Sequence, residues 1–427
     1  MTSVGLSHAI GALRIPAYRW WFVSQILSAS GAMTQAVAQS WLVLQLTGRA
    51  VDLGLLAALA WGPVLLLGAW AGAWVDRLDR RRLLLVTQTL FVLLGLVQAG
   101  LTATGVVRVW MVLAVAAATG VVSAFDGPAR QVYVLELVGT GRVASAVSLY
   151  EVGLNASRVL GPAVGGAMLA TVGTTACFLV NAACYLPPLA VIAGFAPRPG
   201  AAPPPRERRA GAVREGLRYV WRVPPIRACV LIAAAGGVLF NLGVAVPLLA
   251  TRVFHLGGGG YGALMAAFGV GAIPGALLAA AGSAWPTGRR VRALTVGAGA
   301  AVVLTALAPD AATGFAGIAL SGFLSIWLIA LANTLVQLRA DPALRGRVMG
   351  AWTMALPGTI PFTALLNAAT AQVLGARAGF ALAGVVLLLT AAATWRALDE
   401  GSAVHVVAGD GQHLGVADPG GDVRVQR

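Results

Sequence analysis

The densest chemistry in the chain lies in Gly72-Ala-Trp-Val-Asp76-Arg77-Leu-Asp79-Arg80-Arg81-Arg82, where two carboxylates and four guanidiniums stand between apolar runs. Charges so placed are costly unless they pair with each other or with helix ends. A carboxylate such as Asp76 suits a helix N-terminus, where backbone N–H groups lack partners and the dipole is positive. A second candidate is Arg158, the ionisable residue nearest the middle of an apolar stretch. A guanidinium at that depth needs a wet cavity or a partner. Asn155 shares its helical face and Glu151 lies two turns away, so the three form a polar stripe. The stripe suits an anionic or carbonyl-rich ligand; equally, it suits an internal pair between Arg158 and Glu151. Gln25, Gln35, Gln39 and Asn241 add amides that could line a cavity with Trp41, Trp61, Phe240 and Phe268, or bridge helices. None of the 15 acidic residues falls midway along an apolar run, so a proton carrier must come from an edge. Glu151 and Asp126 on one side and Asp52 on the other are the candidates, because partial burial favours the protonated form of a carboxyl. The four histidines lie in polar ends or a Gly-rich loop and give no metal spacing and no catalytic set with Ser or Cys.

What must position these groups is almost wholly apolar. Of 427 residues, 58% are hydrophobic and 11% charged, whereas soluble domains carry about 25% charge. All 30 basic residues are arginine. The missing lysine excludes a Walker A loop, whose lysine reaches the β and γ phosphates. A net charge of +15 could suggest nucleic acid, but the arginines sit between apolar runs, where anionic lipid and topology explain them better. No nucleic-acid partner, metal or cofactor is expected.

Windows of about 19 residues place spans near 20–45, 53–75, 83–104, 107–125, 145–170 and 173–195, then 228–250, 261–284, 293–308, 312–336, 348–374 and 378–396. The expected fold is therefore an all-α membrane protein of twelve transmembrane helices in two six-helix bundles. The division is an N-terminal segment 1–19, a first bundle 20–195, a linker 196–226, a second bundle 227–397 and a disordered tail 398–427. The linker holds Pro197, Pro199 and Pro203 to Pro205, then six arginines from Arg206 to Arg222, and a short surface helix is expected over 213–221. With the N-terminus in the cytoplasm, loop arginines divide 25 to 4 in favour of that side, Arg158 aside, and both termini are cytoplasmic. The first 19 residues show no apolar core or cleavage site of a signal peptide. A shift of 208 residues aligns Gly54 with Gly262, Ala58 with Ala266, Arg81 with Arg289 and Arg82 with Arg290. Such an echo is expected where two halves of a transporter rock against each other.

The segment from Gly72 to Arg82 resembles motif A of the major facilitator superfamily, G-x-x-x-D-R-x-x-R-R, at every fixed position. Gly161-Pro162-Ala-Val-Gly165-Gly166 resembles motif C of its export-type antiporters. Gly161 and Gly165 form a small-xxx-small ridge for a neighbouring helix, and Pro162 removes one helical donor, so packing and gating are compatible there. Phe125-Asp126-Gly127-Pro128-Ala129-Arg130-Gln131, Leu344-Arg345-Gly346-Arg347-Val348-Met349 and Tyr261-Gly262-Ala263-Leu264-Met265 are similar to the branch that includes the bacterial enterobactin exporter and macrolide efflux proteins. The similarity covers roughly 15–397. It implies that Asp76 caps the eleventh span near Arg347, that Arg80 reaches Asp126, and that Arg77, Arg81 and Arg130 belong to the same charge lock. The second half keeps Arg289 and Arg290 but has Ala284 where Asp76 would map, so a second lock is not implied. The resemblance implies a monomeric exporter of the cytoplasmic membrane, not an enzyme, that moves a small amphipathic drug, siderophore or metabolite by proton antiport with alternating access. An importer of the same fold, and a non-transporting receptor or scaffold, are the alternative readings.

Overall fold

A computed structural model describes residues 11–75, 77–139, 142–195, 212–239, 241–280, 286–341 and 344–399. Asp76, Phe240, Ala284, most of the linker and the tail beyond Asp399 lie outside them. After a 3-10 turn at Gly11–Arg14, the helices are α1 Pro16–Thr47, α2 Ala50–Val75, α3 Arg80–Ala103, α4 Val109–Val138, α5 Val143–Thr171, α6 Gly173–Cys184 and α7 Leu186–Gly194. The second half holds α8 Ala212–Arg222, α9 Pro224–Leu239, α10 Leu242–Arg252, α11 Gly258–Ala280, α12 Gly288–Ala306, α13 Ala311–Arg339, α14 Arg345–Leu374, α15 Ala376–Ala393 and α16 Trp395–Asp399. Counting α6 with α7 and α9 with α10 as one span each gives twelve. No strand occurs among the described residues.

Apolar composition explains the helices, since a chain in lipid must satisfy its backbone within each segment. The turns between spans use residues that end helices. Gly48 takes a left-handed φ of 63° and closes α1 on the Leu44 carbonyl. Asp79, Thr287 and Asp310 cap α3, α12 and α13 through their side chains. At Asp310 the N–H and hydroxyl of Thr313 hold the carboxyl below its usual range.

Within the first half, α1 packs on α5 and α6, α2 on α4, and α3 on α4 and α6. In the second, α11 packs on α13, α12 on α13 and α15, and α9 on α14 and α15. The halves meet through α5 against α11 and α2 against α14. One end of the assembly gathers the turns bearing Arg80 to Arg82, Arg142, Arg289 and Arg290; below it is called the basic end, and its opposite the far end.

Three spans differ from expectation, the sixth because it breaks at Tyr185 between α6 and α7. The fourth runs 13 residues past the anticipated end at 125, through Pro128, to Val138. Asp126 and Arg130 depress the hydropathy there, but they neutralise each other inside the fold. The seventh is divided between α9, ending at Leu239, and α10, beginning at Leu242, and Asn241 donates to Gly237 O at 2.9 Å and Thr363 Oγ1 at 2.8 Å. The linker helix appears as expected, one residue longer at each end, and turns into α9 through 105°.

Candidate functional site

At the basic end, α3 begins with its own cap. Asp79 accepts the backbone N–H of Arg81 at 3.0 Å and of Arg82 at 3.2 Å. That fixes the arginines on successive faces of the first turn. Arg80 reaches α4, where its guanidinium lies 2.5 Å from Glu136 with side chains 25% and 12% exposed. Arg81 reaches α7, donating to Ile192 O at 2.9 Å and Ala193 O at 2.6 Å. Those carbonyls end a helix and lack intrahelical partners. Arg82 stays at the surface, 3.5 Å from Asp79, and Arg77 is exposed.

The expected reach of Arg80 to Asp126 is not made. In the antiparallel pair α3 and α4, the first residue of α3 faces the last turn of α4, and Asp126 stands ten residues, about 15 Å, deeper. There it meets Thr87 and Gln88 of α3, which donate to Oδ1 at 2.8 and 2.7 Å. Its other oxygen pairs with Arg130, one turn on in α4. Arg130 also donates to Gln25 Oε1 on α1. Asp126 is 4% exposed, so this is a buried pair held by three spans. Breaking it from one side would leave an uncompensated charge.

Beside this pair lies a small cleft between α1, α4 and α5, lined by Trp21, Phe22, Gln25, Arg130, Tyr150 and Leu154. It offers aromatic walls, one guanidinium and one amide, a set that suits an amphipathic ligand. Arg158 stands two turns deeper on α5, partly buried and partnered. The side chains of Glu151 and Asn155, and all of Asp76, are outside the described residues. Asp52 lies in the first turn of α2 at the far end, away from the cleft.

Gln35 and Gln39 do not line a cavity with the aromatic residues. Gln35 accepts from Asn181 on α6, and Gln39 donates to Gln98 on α3 at 3.4 Å, with both buried in their own half. Such bonds between spans are worth about 0.6 kcal/mol each. Asn241 braces the broken seventh span, as above. Trp41 stacks on Tyr261 across the halves, with ring centroids 6.2 Å apart.

Of the second motif's glycines, Gly161 and Gly165 pack within the first half, on α1, and Gly166 sits where the halves touch. A Cβ on Gly161 would lie 2.6 Å from Ser30 O on α1, and Thr34 donates to the Gly161 carbonyl at 2.9 Å. A Cβ on Gly165 would lie 3.3 Å from the Thr34 Cα. Gly166 and Gly262 meet backbone to backbone, and a Cβ on either would overlap the other. The seam extends from Gly259 against Ala170 to Gly269 against Val159, and Gly54 meets Ala368 on the α2 and α14 side. At the far end, Arg252 donates to Gly48 O, and Gln372 accepts the Ala50 N–H at 3.0 Å. Pro162 removes the N–H that the Arg158 carbonyl would accept.

Among the described residues, Glu136, Glu215 and Asp399 are ion-pairing acids that sequence reasoning did not single out. Glu136 had a signal, as a lone acid inside the apolar run from Val132 to Val138. Glu215 pairs with Arg347 at 2.5 Å, joining α8 to the first turn of α14.

A family profile described as transmembrane secretion effector matches residues 7–410. The multidrug efflux pump Tap of Mycolicibacterium fortuitum is 30% identical over 385 residues, covering 85% of this chain and 91% of that one. The enterobactin exporter EntS of Shigella boydii is 26% identical, covering 79% and 81%. The staphyloferrin A transporter of Staphylococcus aureus is 31% identical over 168 residues, 39% of this chain and 42% of its own length. Among solved structures, an inward-facing, unoccupied bacterial homologue of the lysosomal transporter spinster superposes with a TM-score of 0.70 at 14% identity, covering 90% and 97%. A D-xylose-proton symporter gives 0.68 at 15%, covering 89% and 98%.

Proposed function

The chain belongs to the transmembrane secretion effectors of the major facilitator superfamily, and on that premise we propose that it exports a small amphipathic molecule across the cytoplasmic membrane in exchange for protons. The basic end is then cytoplasmic, with both termini on that side and the chain working as a monomer. The observation that carries this reading is the uneven contact between the halves. The glycine seam and the polar contacts between the halves gather toward the far end, and the aromatic cleft with Gln25 and Arg130 lies within the first half at the basic end. An exporter in such a state receives its cargo from inside, and rocking about the seam delivers it outside.

Asp126 is the proton carrier in this proposal. While ionised it neutralises Arg130, and the cleft wall is electrically balanced. A proton bound there would leave the guanidinium uncompensated, which disfavours a cationic ligand, so proton and cationic cargo exclude each other. Asp76 and Arg347 are the proposed lock at the start of α14, and Arg158 with Asn155 the proposed deeper contact for cargo.

The test is accumulation of macrolides, siderophores and cationic dyes in cells with and without the chain. The chain should lower accumulation of at least one class, and a protonophore should abolish the difference. Asp126→Asn should do the same with the protein still in the membrane. Raised accumulation would make the chain an importer, and no change for any class would remove the transport reading.

A further inference from the structure

The linker helix α8 has two faces with different tasks. Its inner face is clasped to α14. A Cβ on Gly216 would stand 2.8 Å from that of Arg347, Glu215 pairs with Arg347, and Val220 is buried. Tyr219 Oη accepts the Asp341 N–H at 3.2 Å. The outer face carries Leu217, 45% exposed, and Trp221, 57% exposed. Arg218 and Arg222 are exposed beside them. At about 100° per residue, Leu217 and Trp221 fall about 40° apart, with the two arginines along one flank. Glu215 borders the arginine flank, but its carboxylate is taken by Arg347.

The bend of 105° between α8 and α9 sets the orientation. Because α9 begins the seventh span, α8 lies nearly flat along the membrane surface. An apolar edge with a tryptophan beside a basic edge is the arrangement of a helix seated in the headgroup zone.

We propose that this face of α8 binds the phosphate groups of anionic phospholipids through Arg218 and Arg222, with Leu217 and Trp221 inserted at the acyl boundary. The helix then straps the start of α14 to the bilayer surface through Gly216, Glu215 and Tyr219. The site stands whichever way cargo moves.

Hydrogen exchange of the full chain in lipid nanodiscs tests it, comparing pure phosphatidylcholine with a mixture containing phosphatidylglycerol. Each arginine contributes about a fivefold preference for anionic lipid, so exchange over 217–222 should slow by up to about 25-fold in the mixture. Arg218→Gln with Arg222→Gln should remove that difference while α9 stays equally protected in both lipids. Equal exchange over 217–222 in the two lipids would overturn the proposal. So would slowing that survives the double substitution, or the same slowing produced by inorganic phosphate in phosphatidylcholine discs.

Discussion

The starts of α3 and α12 are the same device used in two halves, and they differ in what they hold. Asp79 caps α3, and 208 residues later Thr287 caps α12 by accepting the Arg290 N–H at 3.3 Å. Each helix also uses an arginine to grip the C-terminal end of its half. Arg81 takes carbonyls at the end of α7, while Arg292 pairs with Asp399 and covers the Trp395 ring at 4.0 Å. The likeness ends at the fourth span. Arg80 reaches Glu136, but its counterpart is Gly288, which lets α12 close directly on the Leu398 carbonyl. Where Asp126 and Arg130 form a buried pair, the second half has Thr334 and Leu338. Caps and grips that serve packing occur in both halves. Among the described residues a fully buried carboxylate, which costs desolvation, occurs in the first half, at Asp126, and that locates the chemistry.

The strongest way to break this comparison is to unpair Asp126 and Arg130. Arg130→Ala should destabilise the purified protein by about 3–5 kcal/mol, as removing one partner of a buried pair does. Thermal unfolding in detergent measures it. At the corresponding exposed position, Leu338→Ala should change stability by less than about 0.5 kcal/mol. Replacing both charges, Asp126→Leu with Arg130→Met, should restore most of the stability and none of the transport. Transport by the double variant would reduce the pair to scaffolding.

A smaller effect sharpens the contrast at the helix starts. Arg80→Ala or Glu136→Gln removes a pair that is partly exposed, and should cost about 1–2 kcal/mol, between the surface and buried limits. The two substitutions together should cost little more than either alone, because they share one interaction. Additive losses in unfolding experiments would mean that each residue has a separate partner.

The spans were legible because apolar length alone separates lipid-crossing helices from loops, and the capping residues sit where turns must be. The fourth span's end was not, since hydropathy counts Asp126 and Arg130 as two charges, while inside the fold they are a neutral pair. The spacing of Gln35 and Gln39 shows that they share a face. It does not show that Asn181 and Gln98 stand opposite, because no local pattern encodes which helix a face will meet. Glu136 illustrates the same gap, its partner being fixed by the antiparallel register of α3 and α4. The glycine contact between Gly166 and Gly262 was half legible, with one glycine in a small-residue ridge and the other in the matching span.

The least costly change lies at the second half's own grip. The Arg292 side chain is 13% exposed and that of Asp399 is 51% exposed, so water screens the pair from one side. A surface ion pair contributes about 0–1 kcal/mol and a ring contact about 0.5–1 kcal/mol. Asp399→Asn should therefore cost less than about 1 kcal/mol, and raising the salt should erase most of that difference, since screening acts on exposed pairs. Arg81 answers differently, because its partners are carbonyl oxygens at a helix end and not a carboxylate. The loss on Arg81→Ala should persist at high salt. If both losses fade equally with salt, the two grips are the same surface electrostatics, and the first half owes its distinct chemistry to Asp126 and Arg130 alone.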